Sequence, residues 1–330
     1  MGKLRNLACL KPEPENLYYP PERGDYIYFE GPAFDVTGGL QYANAAWAAD
    51  AAMFAYARYG SDRSNQAEFS KVLRDAGFST TAVVGAGFVD NASTARGFFA
   101  ANDSFAILAF RGTEKDNPHD VDADLDIIPW AEKPLGGGGR SAGLVHQGFQ
   151  DYLISVWPVV AQLVHDYRAN HPNQEICITG HSLGAAIATL AFHQLQDGHM
   201  SLYTFGCPRV GNQSFCNDLM AAARNQAVCR IVDDEDVVTH IPDSLGYVHP
   251  NCTVFWIDAQ SEVVQNPVNM PGDRDDLEDL ALCFLKGEVI DPLPGPLADH
   301  SPVRYCHWIS ERAQQKASAS ADASGEQPVR

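Results

Sequence analysis

Hydrophobic and polar positions along this chain switch repeatedly between a helical and a strand-like period. The stretch 38–60, "GGLQYANAAWAADAAMFAYARYG", is Ala-rich with recurring aromatics and predicts a long buried helix. Residues 67–78, "AEFSKVLRDAGF", predict a shorter amphipathic helix that stops at Gly77. Two apolar runs flank Asn102-Asp103 within 95–113, which signals a hairpin whose second run is apolar enough for a central strand. A helix is expected over 147–170, interrupted near Pro158. A regular alternation follows: strand 175–180, helix 183–196, strand 201–206, helix 212–225, strand 227–234 and strand 253–258. A further helix is expected over 274–287.

Strands alternating with helices through the middle of the chain imply an α/β class, with a mostly parallel central sheet flanked by helices. No internal repeat and no clear break divides the chain, so a single domain is expected over 36–312. Residues 1–35, rich in Pro and Tyr, read as an irregular N-terminal arm, and 313–330 as a disordered, low-complexity tail. The loop 114–140 carries acidic and apolar residues and ends in Gly136–Gly139.

Composition narrows the partners. Of the 330 residues, 45% are hydrophobic and 20% charged, values of an ordinary globular protein. The formal net charge of −19 repels nucleic acid and anionic membrane surfaces, so neither is expected as a partner. No run is apolar and long enough to be a transmembrane helix. The N-terminus lacks the apolar core of a signal peptide, which reads as cytoplasmic, or as secreted if a signal was trimmed. The eight cysteines are widely spaced with no C-x-x-C pair, and read as buried thiols, with one or two disulfides as the alternative.

Chemistry enters at "TGHSLGAA" (179–186), which has the form G-x-S-x-G between a strand and a helix. In such an elbow the serine, Ser182, sits on a tight turn, and side chains at Gly180 and Gly184 would clash across it. The helix N-terminus favours developing negative charge, and the Leu183 N–H is a natural oxyanion donor. A serine hydroxyl needs a base oriented by a carboxylate. The acidic run "VDDEDVV" follows a strand, and "ADHSPVRY" lies near the C-terminus, where an acid loop and a base loop belong.

In order along the chain stand "AFRGT" (109–113), "DL" (124–125), "VHQGF" (145–149), "ITGHSLGAA" (178–186), "TFGCPRVGN" (204–212), "DVVTHIP" (236–242), "GYVHP" (246–250) and "DHSPVRY" (299–305). This ordered set resembles the class 3 lipases, the fungal-type branch of the α/β-hydrolases. The resemblance covers residues 95–310 and implies an α/β-hydrolase fold and carboxylic-ester hydrolysis. It implies Ser182 as nucleophile, Asp236 as acid, His300 as base, and Thr113 as the oxyanion residue paired with the Leu183 N–H. The rivals read differently. Asp233 and Asp234 are expected to be loop charges. His146, His181 and His249 are expected to be structural, and His307 is the main competitor of His300.

No cofactor is implied, because a triad and oxyanion hole complete the chemistry. "DVDADLD" (120–126) hints at calcium, but positions six and twelve counted from Asp122 are Ile127 and Lys133, where a calcium loop needs Gly and Glu. No metal is therefore expected, and Asp124 reads as a structural carboxylate. The stretch after Thr113, "EKDNPHDVDAD", has only Val121 and Ala123 as apolar members, so it offers no greasy face to an oil surface. A lipid or other acyl ester is the expected substrate. A feruloyl-type or short-chain esterase without interfacial activation is the alternative, and a non-catalytic scaffold the reading from another class.

Overall fold

The computed structural model describes residues 7–10, 26, 28–38, 41–57, 63–85, 95–112, 129–131, 143–195, 197–242, 246–268 and 295–324. Helices α1 (Gln41–Phe54) and α2 (Arg63–Asp75) lead into β1 (Thr80–Gly85), β2 (Ala95–Ala101) and β3 (Phe105–Phe110). Short strands β4 (Pro129–Ala131) and β5 (Leu144–His146) precede α3 (Gln147–Asn170). Then come β6 (Glu175–His181), α4 (Leu183–Leu195), β7 (Met200–Phe205), β8 (Gly211–Asn212), α5 (Gln213–Ala223) and β9 (Val228–Asp233). The series ends with β10 (Tyr247–Val248), β11 (Thr253–Ile257), β12 (Val263–Gln265), α6 (Gly295–Ala298) and α7 (Pro302–Ser324).

The main sheet has eight strands in the order β1-β2-β3-β6-β7-β9-β11-β12. Its centre, β3 to β11, is parallel, and both edges are antiparallel. Strand β3 reads "FAILAF" and is buried at every position, as a strand covered on both faces must be. Its alternate side chains divide between two cores. Phe105, Ile107 and Ala109 face the α1 side, while Ala106, Leu108 and Phe110 face the α3–α4 side. The expected α/β architecture, a mostly parallel sheet between helices, is therefore what the chain adopts.

Helix α1 is buried along nearly its whole length, and its alanines let the backbone come close to the sheet. The Thr179 hydroxyl reaches the Ala48 carbonyl at 3.2 Å. The described part of 1–35 is irregular except for a 3₁₀ turn at Leu7–Leu10, and it is tied to α1. The Phe29 N–H donates to buried Asp50 at 2.6 Å, and the Trp47 indole donates to the Pro32 carbonyl at 2.9 Å. Phe34 stacks on Phe105 with ring centroids 4.3 Å apart.

Two elements differ from expectation. Helix α3 is not interrupted at Pro158 but runs unbroken through it. Pro158 lies on the exposed face of the helix, while buried Val156, Val160 and Val164 hold it to the core. Helix α7 continues to Ser324, twelve residues into the stretch expected to be disordered from 313. Its alternating Ala and Ser positions keep good helix formers in register behind a segment already anchored at Ile309 and Ala313. The helix expected over 274–287 and the loop 114–128 lie outside the described residues.

Candidate active site

The parallel strands deliver the candidate residues to one edge of the sheet. Gly112 follows β3, Ser182 follows β6, Gly206 follows β7 and Asp236 follows β9, all at C-terminal strand ends. That edge is where open α/β sheets place their sites.

Ser182 is buried and held at φ 58°, a left-handed conformation that L residues rarely adopt. Such a conformation costs about 1–3 kcal/mol and persists only where the surroundings enforce it. Here the Ser182 N–H donates to the Phe205 carbonyl at 3.0 Å, and its own carbonyl accepts from Ala185 at 2.9 Å. The two glycines are steric necessities. A Cβ on Gly180 would lie 2.3 Å from the Gly184 backbone, and one on Gly184 would lie 2.3 Å from the Phe110 carbonyl oxygen. Leu183 is the first residue of α4, so its N–H is among the donors that no intrahelical acceptor satisfies.

Asp236 and His300, sixty-four residues apart, form a buried pair. Nδ1 of His300 lies 2.9 and 3.0 Å from the two carboxylate oxygens of Asp236. A carboxylate only accepts, so Nδ1 carries the hydrogen and, in the neutral ring, Nε2 is the basic nitrogen. Asp236 is itself held by two further donors. The Val238 N–H reaches Oδ1 at 2.9 Å, and the Tyr305 hydroxyl reaches Oδ2 at 2.6 Å. Burial and the neighbouring Asp236 and Asp233 carboxylates push the Tyr305 phenol well above its ordinary value, so it stays a donor. Gly206 seats the pair against the serine turn. A Cβ there would lie 2.7 Å from Asp236 Oδ2 and 2.9 Å from His300 Nδ1. The residue before it, Phe205, accepts the Ser182 N–H.

The rival residues are occupied elsewhere. Asp233 is fully buried and bound by Arg304 at 2.8 and 3.1 Å, with Arg304 also 3.0 Å from Asp299. His249 Nε2 donates to the Thr239 carbonyl at 2.7 Å, and burial holds its ring neutral. His146 stacks on Phe149, and His307 packs edge-on against Trp308. Thr113, Asp124 and the calcium-like run 120–126 lie outside the described residues. The six cysteines with described side chains, Cys177, Cys207, Cys216, Cys229, Cys252 and Cys306, carry no disulfide, and all but Cys252 are buried.

Three participants escaped the sequence reading: Gly206, Tyr305 and Tyr56. Gly206 and Tyr305 stand inside quoted motifs, but their roles depend on which distant loop they meet. Tyr56 gave no signal beyond being one aromatic in an Ala-rich helix.

Residues 107–245 match the family model described as lipase (class 3). Within that span lie the serine turn and Asp236. Over that span the chain is similar to the class 3 lipases. It is similar to a lipase of Rhizomucor miehei, 32% identical over 184 residues, covering 53% of this chain and 47% of that protein. A protein of Penicillium cyclopium named secreted mono- and diacylglycerol lipase A is 32% identical over 186 residues, covering 54% and 57%. The chain spans about half the length of the curated relatives it matches. Among solved structures, lipase II of Rhizopus niveus superposes with a TM-score of 0.53 at 25% identity, covering 74% of this chain and 91% of that one. The lipase of Rhizopus microsporus var. chinensis gives a TM-score of 0.53 at 23% identity, over 87% and 92%, a likeness of fold.

Proposed function

We propose that this chain is a serine carboxylic-ester hydrolase in which Ser182 is the nucleophile, His300 the base and Asp236 its orienting carboxylate. The observation that carries the reading is the His300–Asp236 pair, locked by four hydrogen-bond contacts and seated through Gly206 beside a serine held at positive φ. Ser182 Oγ attacks the acyl carbon while its proton passes to His300 Nε2. The oxyanion forms in front of the Leu183 N–H, with Thr113 as its second donor. Collapse breaks the ester C–O bond, and the leaving alcohol takes the proton from His300. Water then attacks the acyl-serine, its proton passing through His300 back to Oγ, and the carboxylic acid leaves. Asp236 stays ionised throughout and stabilises the imidazolium.

The test is hydrolysis of p-nitrophenyl butyrate by Ser182→Ala. The expected loss is on the order of 10⁶-fold in kcat. Activity retained within tenfold would defeat the assignment.

The substrate is an acyl ester. The relatives named as lipases support a lipid, whereas the polar run 114–124 supports an esterase without interfacial activation. A chain-length series measured below and above substrate solubility separates the two, since a jump in rate at the solubility limit belongs to the lipid reading. The cytoplasmic placement gains no support from relatives whose names include the word secreted, and those names support export instead.

A further inference from the structure

Behind the serine turn lies a second histidine that the proposed chemistry does not use. His181 is 2% exposed, and its Nε2 lies 2.8 Å from the backbone carbonyl oxygen of His300. Its Nδ1 lies 2.7 Å from the hydroxyl of Tyr56, another buried residue just past the end of α1. The rings of His181 and His300 are 4.5 Å apart between centroids and tilted by 36°.

These contacts fix the direction of every proton in the chain. A backbone carbonyl can only accept, so Nε2 of His181 bears the hydrogen. In a neutral imidazole Nδ1 is then a lone pair, so the Tyr56 hydroxyl must donate. Burial and the neighbouring His300 hold the His181 ring well below its ordinary value, which agrees with a neutral ring. Neutrality also suits the reaction, because a cation here would oppose the imidazolium forming on His300.

Tyr56 meets a third loop as well. A Cβ on Gly112 would lie 2.0 Å from the Tyr56 hydroxyl oxygen and 2.6 Å from the His181 carbonyl oxygen. The hydroxyl therefore sits against the bare backbone at the exit of β3, one residue before Thr113.

We propose that His181 and Tyr56 form a one-way hydrogen-bond brace, Tyr56 O–H to His181 Nδ1 and His181 Nε2–H to the His300 carbonyl, which positions the base loop relative to the serine turn and the exit of β3. His181 and Tyr56 are positioning residues, not catalytic ones, and the proposal rests on the ester-hydrolase reading for its kinetic consequences. Glutamine places an amide N–H near the position of Nε2 and can still donate to the carbonyl, whereas alanine cannot.

The first test is independent of activity. Long-range ¹H–¹⁵N correlation spectra of histidine-labelled protein, with His181 assigned through its loss in His181→Gln, are expected to show the Nε2–H tautomer with a bare Nδ1. An Nδ1–H tautomer or an imidazolium at neutral pH would overturn the brace. The second test is kinetic. His181→Ala is expected to lower kcat by roughly ten- to a hundredfold, with KM unchanged within about twofold. His181→Gln should recover most of that loss. Tyr56→Phe should lower kcat less than His181→Ala, and adding it to His181→Ala should cost little more, because the chain is already cut. Wild-type kcat in His181→Ala, or fully additive losses in the double variant, would overturn the proposal. Should His181→Ala fail to fold, Tyr56→Phe and the tautomer still decide it. An active Ser182→Ala enzyme would sink the ester-hydrolase reading while leaving the tautomer result standing.

Discussion

Ser182 occupies a backbone conformation that would suit glycine, in a turn where both flanking glycines are sterically required. Strain of this kind marks positions whose side chain is needed at a fixed point. The same logic makes Gly206 a sensitive residue. Its φ is 55°, and any side chain there would press on both members of the His300–Asp236 pair. Gly206→Ala is expected to lower kcat by on the order of a hundredfold or more, measured on p-nitrophenyl butyrate, with the loss in kcat rather than KM. Asp236→Asn keeps the size of the side chain but invites the wrong histidine tautomer, and is expected to cost on the order of 10⁴-fold in kcat. Tyr305→Phe removes one of the donors to Asp236 and should cost far less than Asp236→Asn. Ser182 could be proposed from its own G-x-S-x-G turn, whereas Asp236 and His300 could be proposed only through the resemblance to the class 3 lipases. Gly206, Tyr305 and Tyr56 were legible in neither way, since their contacts join loops that only the sheet register brings together.

Among the elements, the long alternating segments were readable and the short ones were not. Strands of β3 and β6 type declare themselves by uninterrupted burial, and α1 by its alanines. The four-stranded second sheet is built from strands of two or three residues, too short to show any period. Pro158 misled because local propensity disfavours it within a helix, while the buried valine stripe of α3 outweighs that cost. If so, Pro158→Ala should restore a backbone hydrogen bond on an exposed face and stabilise the fold by about 1–3 kcal/mol. A raised denaturant midpoint with unchanged activity is the expected result, and a lowered midpoint would show that the proline is needed. Helix α7 misled in the opposite sense, because its Ala-Ser repeat reads as low complexity. Beyond Ala313 its described side chains are mostly exposed, so a chain ending at Lys316 is expected to keep wild-type kcat and melting temperature.

Over the whole molecule, buried titratable groups set opposing pH dependences. His181 is held neutral, so an unfolded chain takes up a proton there below about pH 6.5 that the folded chain refuses. That contribution is present above this pH and is lost as pH falls. Burial pushes Asp233 up to about 7 despite its Arg304 partner. Between its unfolded value near 3.8 and its folded value the native state binds the extra proton, so this contribution to stability is lost as pH rises through that window. Asp233→Asn, an uncharged isostere, should therefore gain stability relative to wild type between pH 5 and pH 8, read as the difference in denaturation midpoints. A difference that shrinks with rising pH would mean that the Arg304 pair outweighs burial.

In the proposed mechanism Ser182 is a nucleophile activated by His300. Labelling with a fluorophosphonate, followed by intact mass and peptide mapping, tests it most directly. One adduct per chain is expected, located on Ser182 and forming far more slowly in His300→Ala. An adduct on another residue, no adduct, or labelling at the wild-type rate in His300→Ala would contradict it.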